Sequence, residues 1–288
     1  MTYKQLSNEN STYIYEINLT RQEIADQTNK TEKELITNLE TAGFRKGKVP
    51  YEIGKKQLNQ EKVDQDVLSS LLSQAYSQII KENNLKPITN PKVELKKAKK
   101  GEDWQIIITV AVSPNFSLPD YKKLVTDIKG DLKKSEIWTP DKGKPEQDEK
   151  KQQQNKEQIL QKIFNDLLTH TSLIIPDLLI ENEVNKRLTQ LIDDVRASGL
   201  TIETYLQSKK QTKDSLQEKI KQEVTETYKL EMILDKIAEV ESITVSDAEI
   251  ENLVKQFEDE KRHLIKDNLY FYTILLRRQK LLDYLSSL

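Results

Sequence analysis

Apolar residues along the chain follow two different periods, and the change from one to the other divides it. In Tyr13 to Leu19 the side chains of Tyr13, Tyr15, Ile17 and Leu19 alternate with Glu16 and Asn18, the period of a half-buried strand. Thr20 and Glu23 then form a capping-box pair, and Ile24, Leu35, Ile36 and Leu39 can share one face of a helix that ends before Gly43. Gly43 to Gly54 reads as a loop. From Val63 onward Val67, Leu71, Ala75 and Ile79 recur every four residues, with Leu68, Leu72, Tyr76 and Ile80 as an adjoining row, so a long amphipathic helix is predicted there. Pro87 and Pro91 stop it, and Val93 to Ala98 and Trp104 to Val112 flank a polar turn as a hairpin. The N-terminal part, residues 1–119, is therefore expected to be a small α+β domain of order β-α-α-β-β.

From Thr139 to Gln158 none of the twenty residues is apolar, and Pro140, Gly143 and Pro145 lie in a Lys/Glu/Gln-rich run. Residues 120–158 are accordingly expected to be a connecting segment and a polar linker. Beyond it the pattern is helical to the end. Ile159, Ile163 and Leu167 lead to Ile180, Val184, Leu188, Leu191 and Val195, with Gly199 closing that helix. Leu216, Ile220, Val224 and Tyr228 run on to Leu234 and Ile237; Ser246 with Glu249 caps a helix bearing Ile250, Leu253 and Phe257; and a last helix holds Leu275, Leu282 and Leu285. Residues 159–288 are expected to form an elongated, all-α domain. Core packing explains most of these stripes. Thin helical arms cannot bury every stripe, however, and Leu269, Tyr270, Phe271, Tyr272 and Leu276 are candidates for an exposed apolar, client-binding surface.

Composition narrows the chemistry. The chain has 288 residues, 32% charged, with 45 Lys plus Arg against 47 Asp plus Glu, so no global field draws it to nucleic acid or membrane and any electrostatic docking is local. There is no cysteine, and His170 and His263 are isolated, which argues against a zinc site, a disulfide or a histidine-based triad. No phosphate-binding glycine motif occurs, so neither a nucleotide nor another cofactor is expected. Met1 to Asn10 does not read as a signal peptide and no window is apolar enough for a membrane helix, so the expected location is the cytoplasm.

The most informative stretch is Gly43-Phe44-Arg45-Lys46-Gly47-Lys48-Val49-Pro50. Two glycines bracket an aromatic residue and two cations, and a proline stiffens the exit, which suits a tight tip presenting Phe44, Arg45 and Lys46 outward. A solvated basic turn is the ordinary reading of such residues. A contact loop for an acidic protein or an RNA surface is the sharper one. The octapeptide resembles the G-F-R-x-G-K-x-P signature of the trigger factor chaperones without departure, and its surroundings agree: a strand and a helix before it, Val63 to Leu68 starting the next helix, then the hairpin and Asn115-Phe116. Leu173 to Glu183 and Ile243 to Glu249 are more weakly similar to segments of that family's C-terminal helical domain.

The resemblance implies an ATP-independent bacterial holdase, active in protein folding and transport, that docks on the large ribosomal subunit at the nascent-chain exit. Phe44, Arg45 and Lys46 would touch the exit-site ribosomal protein and nearby rRNA, Gly43, Gly47 and Pro50 would shape the loop, and Lys48 would add charge. The helical domain would hold nascent or unfolded polypeptide, and a weak homodimer is allowed. The family's FKBP-like prolyl isomerase domain has no room between Pro119 and Ile159, so no catalytic residue is expected and the chain is read as a short form that is not an enzyme. Two alternatives stand beside this. One is an RNA-binding protein using Arg45, Lys46, Lys48, Lys55, Lys56 and the Lys92 to Lys100 cluster; the other is a helical scaffold without chaperone activity, disfavoured by the lack of a sustained heptad.

Overall fold

A computed structural model describes residues 1–41, 43–99, 101–135, 145–255 and 268–288. It divides into two compact units, Met1–Pro114 with Ile175–Lys186, and Asn115–Ile174 with Arg187–Leu288. The first is built on a four-stranded antiparallel sheet of order β1-β2-β4-β3, from β1 (Thr2–Glu9), β2 (Thr12–Leu19), β3 (Lys92–Lys97) and β4 (Trp104–Ala111).

Alternation in β2 and β4 places Tyr15, Ile17, Leu19, Ile106, Ile108 and Val110 on one face, all buried. Against that face lies α3 (Gln60–Glu82), whose Val63, Val67, Leu71, Ala75 and Ile79 are the buried row. Each fully buried aliphatic side chain here contributes roughly 1.5–3 kcal/mol, which is what holds so charged a sequence together. Asn59 caps α3 by accepting from the Glu61 and Lys62 amides at 2.9 and 3.3 Å. The helix α1 (Arg21–Asn38) packs beside α3 and begins with the expected capping box, in which Thr20 N donates to Glu23 Oε2 at 2.9 Å. A short α2 (Tyr51–Gln57) packs on α1.

Two elements of this unit depart from the expected β-α-α-β-β order. The strand β1 is exposed and polar, and a bulge between Gln5 and Ser7 reverses which side chains face inward, so no alternation marks it. It joins β2 through Asn10 and Ser11, whose φ values of 50° and 58° suit a tight hairpin turn. The helix α2 occupies what reads as the end of the Gly43 to Gly54 loop.

Helices are the only regular elements among the described residues of the second unit. It contains α4 (Tyr121–Ser135), α5 (Pro145–His170), the later turns of α6 (Asp177–Ala197), α7 (Ile202–Ser208), α8 (Lys213–Val240), α9 (Asp247–Lys255) and α10 (Leu269–Ser287). The helices α4, α5, α8 and α10 pack together and bury Tyr121, Val125, Ile163, Leu167, Val224, Ile233, Ile237, Leu281 and Leu285. Long cations bind main-chain carbonyls: Lys129 Nζ donates to Ser286 O at the end of α10 at 2.6 Å, Lys236 Nζ to Phe116 O at 2.7 Å, and Arg277 Nε to Ile243 O at 3.0 Å, the last two in connecting segments. At the end of α8, Glu241 accepts from the Tyr121 hydroxyl and lies 2.8 Å from Lys122 Nζ, which holds its carboxyl down to about 2.

The polar run from 139 to 158 is corrected in its second half. Residues 139–144 lie outside the described residues, but α5 starts at Pro145 and is continuous through Gln158. Lack of an apolar stripe removes burial, not helix formation: Glu, Gln and Lys favour helix and proline suits its first position. The first compact unit ends at Pro114, five residues before the expected boundary at 119, and takes in Ile175–Lys186. In that segment Asn182 Nδ2 donates to Thr89 Oγ1 at 3.2 Å, and Glu181 lies 3.5 Å from Lys92. Phe257 and His263 lie outside the described residues.

Candidate functional site

The loop between α1 and α2 is built from two successive turns. The Phe44 amide donates to Thr41 O at 3.1 Å, and the Lys48 amide donates to Arg45 O at 2.9 Å. Each turn has glycine at its third position with positive φ, 88° at Gly43 and 79° at Gly47, backbone that a side chain would strain. Neither position is crowded, so it is the conformation and not the space that calls for glycine.

Between and beside these turns Phe44, Arg45, Lys46 and Lys48 are all exposed, Phe44 at 39%. Val49 is buried at 8%, and Pro50 leads directly into α2, accepting from the Ile53 and Gly54 amides at 3.0 and 2.9 Å. Thr41 Oγ1 donates to Gln57 Oε1 at 2.7 Å, tying the start of the loop to the end of α2. The result is a preformed tip of one aromatic and three cationic side chains standing on an apolar anchor. Such a tip can press against an anionic, partly apolar surface; it holds no nucleophile or acid-base pair for covalent chemistry.

The other basic region is less free. Lys92 lies 3.6 Å from Glu94 and 3.5 Å from Glu181, and Lys96 lies 3.6 Å from Glu94, so part of the Lys92 to Lys100 charge is answered locally. Among the described residues no cluster of three metal-ligating side chains occurs, and His170 is engaged through Nδ1 with Asp166 O at 2.8 Å.

In the second unit α10 opens with an apolar surface. Tyr270 is 81% exposed and Phe271 59%, with Leu269, Ile274 and Leu275 also exposed. Tyr272 and Leu276, expected with them, are half-buried. Ile274 and Leu275 take their place because they follow Tyr270 and Phe271 by one turn on the same faces. Sequence reasoning also passed over two grooves. One, of about 350 Å³, lies between α8 and α10 and is lined by Leu234, Ala238, Tyr270, Ile274 and Leu281 with Arg277, Arg278, Glu231 and Asp235 at its rim. The other, of about 540 Å³, sets Phe164, Leu168 and Leu230 among Glu223, Glu226 and Arg187. Apolar floors with charged rims suit extended polypeptide more than a small ligand.

Comparison with known proteins bears on both surfaces. Residues 1–137 match the family model described as bacterial trigger factor protein, and residues 142–265 match that of the bacterial trigger factor C-terminus, which leaves only residues 138–141 between them. The trigger factor of Lactococcus lactis subsp. lactis (strain IL1403) is 29% identical over 128 residues, 44% of this chain and 30% of that protein. That of Streptococcus pneumoniae (strain Hungary19A-6) is 33% identical over 110 residues, 38% of this chain and 26% of that protein. Each match thus spans less than a third of the relative's own length. A solved structure concerned with promiscuous substrate recognition in folding and assembly by the trigger factor chaperone aligns over 99% of both chains, with a TM-score of 0.63 and 16% identity, and so shares the fold. With its N-terminal and C-terminal parts both matched, the chain belongs to the trigger factor family.

Proposed function

We propose that the protein is an ATP-independent chaperone that docks on the large ribosomal subunit beside the nascent-chain exit through the tip of residues 43–50 and shields unfolded polypeptide on its helical unit. The observation that carries this reading is the geometry of that tip: Phe44, Arg45, Lys46 and Lys48 are exposed on turns fixed by Gly43 and Gly47, above a buried Val49. Arginine, lysine and an aromatic face suit a surface of rRNA phosphates and a ribosomal protein, where phosphate contacts give affinity and the ring adds apolar area. The exposed residues of α10 and the two grooves of the second unit are the client surface in this reading.

No isomerase activity is assigned, because both family matches are accommodated with four residues between them and a further folded domain has no place there. The cytoplasm, where ribosomes are, is the compartment this reading requires; among the described residues no helix is long and apolar enough to cross a membrane. Cosedimentation with purified large ribosomal subunits tests the docking. Pelleting with the subunits at moderate salt supports it, and recovery wholly in the supernatant contradicts it.

A further inference from the structure

The described residues contain one carboxylate that is almost fully buried, and it lies not at the loop tip but between α1 and α2. Glu32, in the middle of α1, is 2% exposed. Its Oε2 accepts from the Tyr51 hydroxyl and lies 2.9 Å from Lys55 Nζ, while Lys55 Nζ also reaches the Tyr51 hydroxyl at 3.4 Å and sits 5.5 Å from the centre of its ring. Tyr51 and Lys55 are one helical turn apart, so α2 presents both on the face it turns to α1. Glu32 and Ile36 are likewise one turn apart on α1, and Ile36 meets Gly54 so closely that a Cβ there would lie 2.7 Å from Ile36 Cγ2.

A buried carboxylate is retained only where donors compensate it, and two of the donors around this one, Tyr51 and Lys55, come from the short helix that begins where the loop ends. A seven-residue helix has little stability of its own. Glu32, with the Gly54 and Ile36 contact, therefore ties α2 to α1. The hydrogen bonds they donate to Glu32 raise the Tyr51 hydroxyl above the ordinary phenol range and the Lys55 ammonium above its ordinary value, as expected of groups held in the donating state.

Building on the docking reading above, we infer that Glu32, through Tyr51 and Lys55, is the positioning residue of the docking loop: it latches α2 to α1, and the latched α2 fixes Pro50, Val49 and, through the Thr41 and Gln57 bond, both ends of the tip. Without the latch the tip samples many conformations, and affinity falls by the fraction of time it spends in the competent one. A charge-assisted bond of this kind biases that equilibrium about tenfold.

The test compares the full-length protein with Glu32→Leu, Glu32→Gln and Tyr51→Phe variants, titrated against purified large ribosomal subunits, with amide hydrogen exchange followed in parallel. Glu32→Leu is expected to weaken association about tenfold and to speed exchange at the Phe44 and Lys48 amides while leaving the Ile17 and Ile106 amides of the sheet protected. Glu32→Gln keeps an acceptor for Tyr51 and is expected to fall between Leu and wild type, as is Tyr51→Phe. Wild-type affinity and wild-type loop exchange in Glu32→Leu would overturn the inference, and so would a loss of protection spread evenly over loop and sheet. A separate Phe44→Ala, Arg45→Ala, Lys46→Ala variant that still binds subunits fully would overturn the docking reading instead, leaving the exchange data to decide whether the latch orders the loop.

Discussion

Replacing Gly54 with alanine should destabilise the first unit even though alanine is the better helix former. The added Cβ would fall 2.7 and 2.8 Å from Ile36 Cγ2 and Cγ1, and Ile36 is 5% exposed and cannot swing into solvent without opening the contact of α1 with α2. Overpacking of a tight site costs about 1–3 kcal/mol, and exchanging glycine for alanine within a helix returns about 0.8–1 kcal/mol, so the net loss is about 1 kcal/mol at mid-range and about 2 kcal/mol at most. Ile36→Ala removes both crowded atoms at a cost of about 2–5 kcal/mol for the cavity. In that background Gly54→Ala should become neutral or stabilising by up to about 1 kcal/mol, a coupling of about 2 kcal/mol across the cycle. Urea unfolding read by Trp104 in a Trp138→Phe background measures it, since these are the two tryptophans of the chain. A Gly54→Ala protein as stable as wild type, or an equal penalty in both backgrounds, would refute the packing of α2 on α1 argued above.

Two further outcomes are expected. Glu241 and Glu249 are both held down to about 2, the first chiefly by Lys122 and then Tyr121, the second chiefly by Lys280 and then the Ser246 amide. A depressed carboxyl stabilises the fold above its unfolded value and loses that contribution as pH falls toward the folded one, so helical-unit stability should decline from about pH 4.5 to about pH 2, and more gently in Glu241→Gln and Glu249→Gln proteins followed by thermal melts at successive pH values. On α10, Tyr270→Ser with Phe271→Ser should reduce suppression of client aggregation severalfold while shifting stability by no more than about 0.5 kcal/mol per site, because the side chains are 81% and 59% exposed; light scattering and melting curves separate the two effects.

How much of this was legible in the sequence depends on which forces mark each element. The helix α3 was plain because Val63, Val67, Leu71, Ala75 and Ile79 must all face the sheet, and burial writes a period of nearly four into the residues. The strands β2 and β4 were plain for the same reason with a period of two. Where the sequence lacks an apolar stripe, nothing is written: β1 is joined to β2 by its ladder and carries mostly polar side chains across a bulge, and residues 145–158 of α5 are polar residues that favour helix. At the site, the tip residues Gly43 to Pro50 were readable from their own chemistry. Their support was not. Glu32 lies nineteen residues before Tyr51, and only the packing of α2 on α1 brings the two together. On α10 the candidate residues formed one apolar run, and only the folded helix separates the exposed Tyr270, Phe271, Ile274 and Leu275 from the half-buried Tyr272 and Leu276.

The central claim is that the tip of residues 43–50 is the docking element, and its most direct test is the affinity of the Phe44→Ala, Arg45→Ala, Lys46→Ala variant for purified large ribosomal subunits, beside its melting temperature. An aromatic and an arginine at an interface centre contribute on the order of 2 kcal/mol each, so the account expects affinity to fall by roughly a thousandfold. Because all three side chains are exposed and Val49 is untouched, the melting temperature should stay where it is. Affinity equal to that of the wild type would contradict the account, and loss of affinity together with a large drop in melting temperature would show that Phe44 belongs to the fold and not to the docking surface.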